Sequence, residues 1–316
     1  MVWTMAASTR PFCPRRSLFL AAFALWIVEG RYVKSRTRTR GAVSPPPQRK
    51  STLIRRRAVV FVPVLGVLSE GLLGTKSRGC ADASTSPFSI GDLQQSIFAD
   101  VIASGMDFYE SVVREDKSSA FSSLFSLVEE NKKDTQTTPV KLLDVGVGAG
   151  PNMNLYKESG LDLRVTGVDP NPYMERYAKQ SAEQSEVPFQ FQLGDANRLP
   201  FPDGSFDVVV STLVLCSISD PEKALREIER VLKPGGCFFF WEHVKAPPDR
   251  PILGFAQTLL SPLQQVYADG CHLDRNTLQI IEQSKLFDSV ENVRKLHFND
   301  LTIVAPHVTG VALAKL

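Results

Sequence analysis

Leu142-Leu143-Asp144-Val145-Gly146-Val147-Gly148-Ala149-Gly150-Pro151-Asn152 passes from a short apolar run into three glycines at alternate positions, and then into a proline. A strand covered on both faces reads as a near-continuous apolar run, and residues 141–145 fit that description. Glycine belongs where the backbone must turn with positive φ or lie against a ligand. Proline is favoured at the first position of a helix, where its missing N–H has no partner to lose. Strand, tight turn and helix are therefore expected in that order. The dinucleotide fingerprint G-x-G-x-x-G would end on a glycine at the place of Pro151, so a nicotinamide-dependent oxidoreductase is disfavoured. The pattern that stands is D-x-G-x-G-x-G, from Asp144 to Gly150.

The same texture continues downstream. Strand-sized apolar runs occupy residues 163–168, 189–193, 206–212 and 237–241, with helix candidates at 151–159, 172–185 and 221–232. This alternation predicts βα units in a doubly wound α/β sheet. Two late runs, 290–296 and 301–304 with 308–314, predict antiparallel strands at one edge. Upstream, Ile97, Val101, Ile102, Met106, Tyr109 and Val113 recur at helical spacing, as do Phe121, Leu124, Phe125 and Val128. One or two helices thus precede the sheet, and the polar run 129–138 reads as a loop closing on Pro139.

A carboxylate, Asp169, ends the second strand within Gly167-Val168-Asp169-Pro170-Asn171, 25 positions after Asp144. Gly194-Asp195-Ala196 follows the third strand, Asp203-Gly204-Ser205-Phe206-Asp207 opens the fourth, and Arg230-Val231-Leu232-Lys233-Pro234-Gly235-Gly236 leads into the fifth. In this order the pieces resemble the class I S-adenosylmethionine-dependent methyltransferases with a type 11 domain. The resemblance implies a Rossmann-like sheet of about seven strands in the order 3-2-1-4-5-7-6, flanking helices, an N-terminal helical cover, and S-adenosyl-L-methionine as cofactor. It sets Asp144 and Gly146 against the amino acid end of the cofactor and Asp195 on the adenine amino group. Asp169 would hold both ribose hydroxyls, since two acceptor oxygens match two adjacent donors. Gly148, Gly150, Asn152, Pro170, Asn171, Ala196 and Leu213 complete the implied cofactor contacts.

More particular runs are Ser211-Thr212-Leu213-Val214-Leu215-Cys216-Ser217, Glu242-His243-Val244, Asp269-Gly270-Cys271 and Pro306-His307. Together they resemble the membrane-associated alkyl thiol S-methyltransferases, a group related to the ubiquinone and menaquinone C-methyltransferases. A small apolar acceptor is implied: a thiol first, and a quinone or other lipid-like ring as the alternative. A cofactor-binding protein without catalysis is a second class, because the binding motifs are fuller than any catalytic set. Methyl transfer from a sulfonium is an in-line displacement that needs orientation and exclusion of water, and no metal. His243 is the candidate for orienting or deprotonating the acceptor, because histidine titrates nearest neutral pH; a structural hydrogen bond is the alternative reading. Glu242 and Asp269 join it as candidates by the resemblance, and His307 as a substrate contact. Cys216 reads as a buried core thiol.

Composition bounds the rest. With 43% hydrophobic residues, nineteen Phe and 22% charged residues, the chain has material for a sizeable core. Five cysteines, at 13, 80, 216, 237 and 271, include no Cys-x-x-Cys pair, so no metal site or redox pair is read from their spacing. The formal charge of +2 hides a division. Residues 1–83 hold 15 Lys/Arg against three acids, and residues 84–316 hold 21 against 31. The acidic part speaks against a nucleic-acid substrate.

The basic part reads as a targeting presequence. Arg10, Arg15 and Arg16 precede an eleven-residue apolar run at 18–28, the length of a signal-peptide core. Residues 31–54 hold seven Lys/Arg, no acid and the Pro45-Pro46-Pro47 run, a transit-peptide composition. Arg55-Arg56-Arg57 then lead into the apolar run 58–68, with a small-x-small processing site at Ala81-Asp82-Ala83. The series resembles the presequence of a thylakoid-lumen protein of an algal plastid; the alternative is retention as an anchor at the endoplasmic reticulum. The expected organisation is a presequence at 1–83, a helical cover at 84–138 and a methyltransferase domain at 139–316.

Overall fold

The apolar run around Asp144 forms strand β1, Val140–Val145, with every residue but Lys141 buried. In the computed structural model, which describes residues 90–132 and 139–316, it lies third in a seven-stranded sheet. The remaining strands are β2 (Leu163–Asp169), β3 (Phe189–Leu193), β4 (Phe206–Thr212), β5 (Leu232–His243), β6 (Ser289–His297) and β7 (Pro306–Leu313), in the order β3-β2-β1-β4-β5-β7-β6. The first five are parallel, and β7 runs antiparallel to both β5 and β6. This is the expected Rossmann-like order. Strand β5 starts earlier than its apolar run: Leu232 pairs with Phe206, a bulge absorbs the Lys-Pro-Gly-Gly turn, and regular pairing resumes at Cys237. The expected presequence at 1–83 lies outside the described residues, as does 133–138 of the expected loop 129–138; residues 129–132 of that loop are helical instead, the end of the helix Ile90–Lys132.

Alternation along the strands feeds two cores. Phe239 and Trp241 join the cluster that contains Leu142, while Phe238 and Phe240 join the one that contains Leu143. Helices α1 (Ile90–Lys132), α2 (Met153–Glu158) and α3 (Met174–Gln184) cover the first face; α4 (Pro221–Val231) and α6 (Thr277–Ser284) cover the second. Helix α4 shows why such segments fold locally. The Asp220 side chain accepts from the Lys223 amide at 2.9 Å, Pro221 occupies the first turn, and Ala224, Leu225, Ile228 and Val231 form the buried stripe. Helix α5 (Pro251–Tyr267) precedes α6.

Two further expectations are corrected. Residues 301–304 belong to a 3-10 helix, Asn299–Val304, broken by Thr302 at φ 49°, so they form the connection between β6 and β7 instead of a strand. The N-terminal pattern is one helix, α1, as one of the two expected alternatives has it, but its buried line is displaced from the one expected. Ile97 and Val101 are 38% and 36% exposed, while Phe98, Ile102, Met106 and Tyr109 face the cavity described below. The second half of α1 belongs to the core: Val113, Lys117, Ala120, Phe121, Leu124, Phe125 and Val128 are buried, and the Phe121 ring lies 4.4 Å from that of Phe239. The first half is tied down by polar contacts. Asn171 donates through Nδ2 to the Gln95 carbonyl at 3.0 Å, and Arg176 and Tyr177 both bond Asp100.

Candidate active site

A cavity of about 510 Å3 opens beyond the carboxyl ends of the parallel strands, under the first half of α1. At one end it is walled by the β1–α2 turn, the tip of β2 and residues 194–197. Gly146 takes φ +66°, and a β-carbon there would collide with the Val214 side chain, so only glycine lets this turn pass the β4 loop. Asp169 is 7% exposed; its Oδ2 accepts from the Gly148 amide and its Oδ1 from the Asn171 amide, each at 2.9 Å. Burial raises this carboxyl to about 6, against the two amide hydrogen bonds that lower it. Asp195 is exposed at the same end, with Oδ1 accepting from the Asn197 amide at 2.8 Å.

Of the residues expected at the cofactor, Gly146, Gly148, Asp169, Pro170, Asp195, Ala196 and Leu213 line this cavity. The others stand behind the wall. Gly150, at φ +77°, has Ala178 and Ser181 against it and seats α3, with its carbonyl accepting from Ser181 Oγ at 2.7 Å. Asn171 closes its own turn, with Oδ1 accepting from the Tyr173 amide, as well as holding α1. Asp144 is fully buried; its Oδ2 accepts from Tyr156 Oη at 2.7 Å and from Asn152 Nδ2 at 3.2 Å. Burial raises it to about 6. Asp144 Oδ1 and Asn152 Oδ1 are buried acceptors without a donor.

The other end of the cavity is lined by Phe98, Ile102, Met106, Val304, His307 and the group Cys216, His243 and Cys271. Glu242 is not among the lining residues. Its carboxylate accepts from Ser211 Oγ at 3.0 Å and from the amides of Val214 and Leu215 at 3.1 Å, so it shapes the loop that carries Cys216. His243, 4% exposed, places Nε2 2.9 Å from Cys271 Sγ, and its Nδ1 is buried without a partner. The hydrogen bond between the two thiols raises Cys216 and lowers Cys271. Asp269 lines the cavity with positive φ of 48°, its carboxyl raised by burial.

Two parts of this end escaped sequence reading. The first is a hydrogen-bonded chain: Trp241 Nε1 donates to Tyr109 Oη at 2.7 Å, Tyr109 Oη lies 3.0 Å from His307 Nε2, and His307 Nδ1 lies 3.2 Å from the Ala305 carbonyl. That carbonyl requires the proton on Nδ1, so Nε2 accepts from Tyr109 and the ring is neutral. Burial agrees, holding His307 down at about 3. The second is Lys117, buried in the cavity wall and paired with Glu110 at 2.7 Å. Its signal was a lysine four residues after Val113 and four before Phe121, on the core line of α1.

A sheet in this order, with a glycine turn after the first strand and a carboxylate at the tip of the second, defines a class I S-adenosylmethionine-dependent methyltransferase. Known proteins agree. Residues 143–240 match the methyltransferase domain family. Thiol S-methyltransferase TMT1B of Rattus norvegicus is 39% identical over 194 residues, 60% of this chain and 76% of that protein. Thiol S-methyltransferase TMT1A of Homo sapiens is 38% identical over 180 residues, 55% of this chain and 70% of that protein. Demethylmenaquinone methyltransferase of Thermus thermophilus is 36% identical over 119 residues, covering 38% and 53%. A Haloferax volcanii methyltransferase solved with its Trm112 activator shares the fold, with a TM-score of 0.52 and 18% identity over 72% of this chain and all of that one. The chain belongs to the methyltransferase family that includes the TMT1 thiol S-methyltransferases.

Proposed function

We propose that the protein transfers the methyl group of S-adenosylmethionine to the sulfur of a small, apolar thiol. The observation that carries this reading is a single cavity with two unlike ends, one walled by glycines and carboxylates and the other by apolar side chains, thiols and imidazoles. The relatives named as thiol S-methyltransferases supply the acceptor class. The residues present fit the cofactor. Asp169 offers two oxygens to a ribose diol and Asp195 an acceptor to the adenine amino group, and both line the cavity, whereas Asp144 and Asn152 lie behind its wall, bonded to each other at 3.2 Å. The cofactor supplies an electrophilic methyl carbon. The chain's own part is to hold it, to orient the acceptor opposite the leaving sulfur, and to keep water out with Phe98, Ile102 and Met106 of α1. An acceptor panel tests the reading: turnover of alkyl thiols to methyl thioethers, seen by mass spectrometry, is expected, and methylation confined to quinols or phenols would defeat it.

The acceptor is taken from a membrane surface in this proposal. No helix among the described residues is long and apolar enough to cross a bilayer. Helix α5, however, has no charged residue and exposes Ile252, Phe255, Leu259, Leu263 and Val266, each more than half exposed, while its Gln264 lines the cavity. Residues 1–83 are proposed to be a plastid-targeting presequence leading to the thylakoid lumen. Sequencing the N-terminus of the mature protein tests this, since a start near Met1 would contradict removal.

A further inference from the structure

We infer that Cys216, His243 and Cys271 bind a zinc ion whose fourth position opens on the acceptor end of the cavity. One ligand atom from each of the three buried side chains lies within 4.8 Å of the others, and His243 Nε2 is 2.9 Å from Cys271 Sγ. With Zn–S bonds of about 2.3 Å and Zn–N of about 2.0–2.1 Å, a tetrahedral zinc separates its donors by roughly 3.5–3.8 Å, so His243 and Cys271 would part by about 0.6 Å to take the ion while all three donors already lie within 4.8 Å. Soft sulfur donors favour zinc over magnesium or calcium. Two thiolates and a neutral imidazole also balance a divalent ion, so no net charge is buried. Structural zinc takes four protein ligands. Three ligands beside a cavity leave a place for a reactant.

Surrounding contacts hold the two cysteine-bearing loops, while the place of His243 is set by strand β5, its Nδ1 having no partner. Cys216 follows β4, His243 ends β5 and Cys271 follows α5, so three separate segments must meet. The His272 amide donates to the Cys216 carbonyl at 2.9 Å and joins the two cysteine-bearing loops. Arg275 Nη1 donates to the carbonyls of Leu215 and Ile218 at 2.6 and 2.7 Å, and Glu242 accepts from the amides leading to Cys216. Such outer contacts orient metal ligands. All three side chains line the cavity, which supplies an entry path.

The inference rests on the thiol reading above and gives it a means of activation. A free thiol is mostly protonated at neutral pH, whereas a thiol on zinc is deprotonated outright. The acceptor RSH enters the fourth position and releases its proton to solvent. Its sulfur then forms a bond to the methyl carbon as the carbon–sulfonium bond breaks, and that electron pair stays on the sulfur of S-adenosylhomocysteine. The thioether product is neutral, binds zinc weakly and leaves.

Metal analysis of the full-length protein, purified without chelator, tests the site. About one zinc per chain is expected, falling at least tenfold in Cys216→Ser and in Cys271→Ser and unchanged in Cys237→Ser, whose buried thiol lies elsewhere in β5. Cobalt exchange gives a readout on the unmutated protein: a tetrahedral, thiolate-ligated visible spectrum that an added alkyl thiol perturbs and a phenol does not. Zinc below about a tenth of an equivalent after zinc dialysis, zinc retained in both cysteine variants, or a Cys216–Cys271 disulfide in the protein as isolated would each overturn the assignment. The two readings separate. Thiol methylation at an unchanged rate by protein freed of metal defeats activation by zinc and leaves the thiol reading, whereas zinc-loaded protein that methylates only quinols supports the site and defeats the thiol acceptor.

Discussion

Burial raises the Asp169 carboxyl to about 6, which makes its charge state an experimental handle on cofactor binding. Ribose hydroxyls donate, so they favour the carboxylate over the acid. Affinity for S-adenosylmethionine is therefore expected to be level above pH 7 and to weaken by about tenfold at pH 5, as the carboxyl takes up its proton. Calorimetry across pH 5–8 measures this. Asp169→Asn should bind about 10–100-fold more weakly at pH 7.5, having lost hydrogen bonds to a charged group, and should lose most of the pH dependence. Its fold should survive. A carboxyl whose pKa is raised by burial lends most stability below its ordinary value and loses it as pH rises through about 6, so losing the charge at pH 7.5 is favourable. Against this, the Asn side chain has one acceptor oxygen for the Gly148 and Asn171 amides, and the donor left unpaired costs about 1–3 kcal/mol. An unchanged affinity would remove Asp169 from the cofactor site. Asp169 was legible in sequence because a carboxylate directly after an apolar strand is conspicuous. The part played by Glu242 was not, because only the folded loop brings the amides of Val214 and Leu215 onto its carboxylate.

Elements whose apolar residues face a single core were read nearly to the residue, as in α4, where a capped start and a buried stripe coincide. Elements that serve two surroundings were not. Helix α1 is half core and half cavity wall, so its apolar line shifts from Phe98, Ile102 and Met106 to Val113, Phe121 and Leu124. Helix α5 has its period inverted, with Ile252, Phe255, Leu259, Leu263 and Val266 exposed and Gln257 and Ser261 buried, so its apolar stripe does not mark the core side. That exposed side carries a prediction. Sinking a Phe or Leu side chain into a lipid interface is worth roughly 1.5–3 kcal/mol, so five such residues suffice for reversible binding. The protein should co-sediment with phospholipid vesicles, and the double change Phe255→Glu with Leu259→Glu should reduce bound protein at least tenfold while leaving turnover of a water-soluble thiol within about twofold. Equal sedimentation of the variant would show that α5 does not touch the membrane.

At the scale of the whole molecule, charge and chemistry are distributed in ways that local patterns express unequally. The two cysteines of the metal cluster stand 55 positions apart, with His243 between them, so no spacing rule registers them until β4, β5 and the segment after α5 converge. The charge division is the opposite case, visible from counting alone. Residues 84–316 carry 21 basic and 31 acidic residues, and they contain both described cores and the whole cavity. A chain beginning at Ser84 is therefore expected to fold, to bind S-adenosylmethionine with unchanged affinity, and to melt within about 2 °C of the full chain, a difference of less than about 1 kcal/mol in a domain of this size. At neutral pH it should adsorb to an anion exchanger, as its net negative charge requires. Differential scanning calorimetry with and without cofactor makes the comparison. Both chains should gain about 2.7 kcal/mol at cofactor concentrations near a hundred times the dissociation constant. A truncated chain that aggregates, or that melts more than about 5 °C lower, would show that residues 1–83 help to build the enzyme, and the presequence reading would then fall with the division of charge that suggested it.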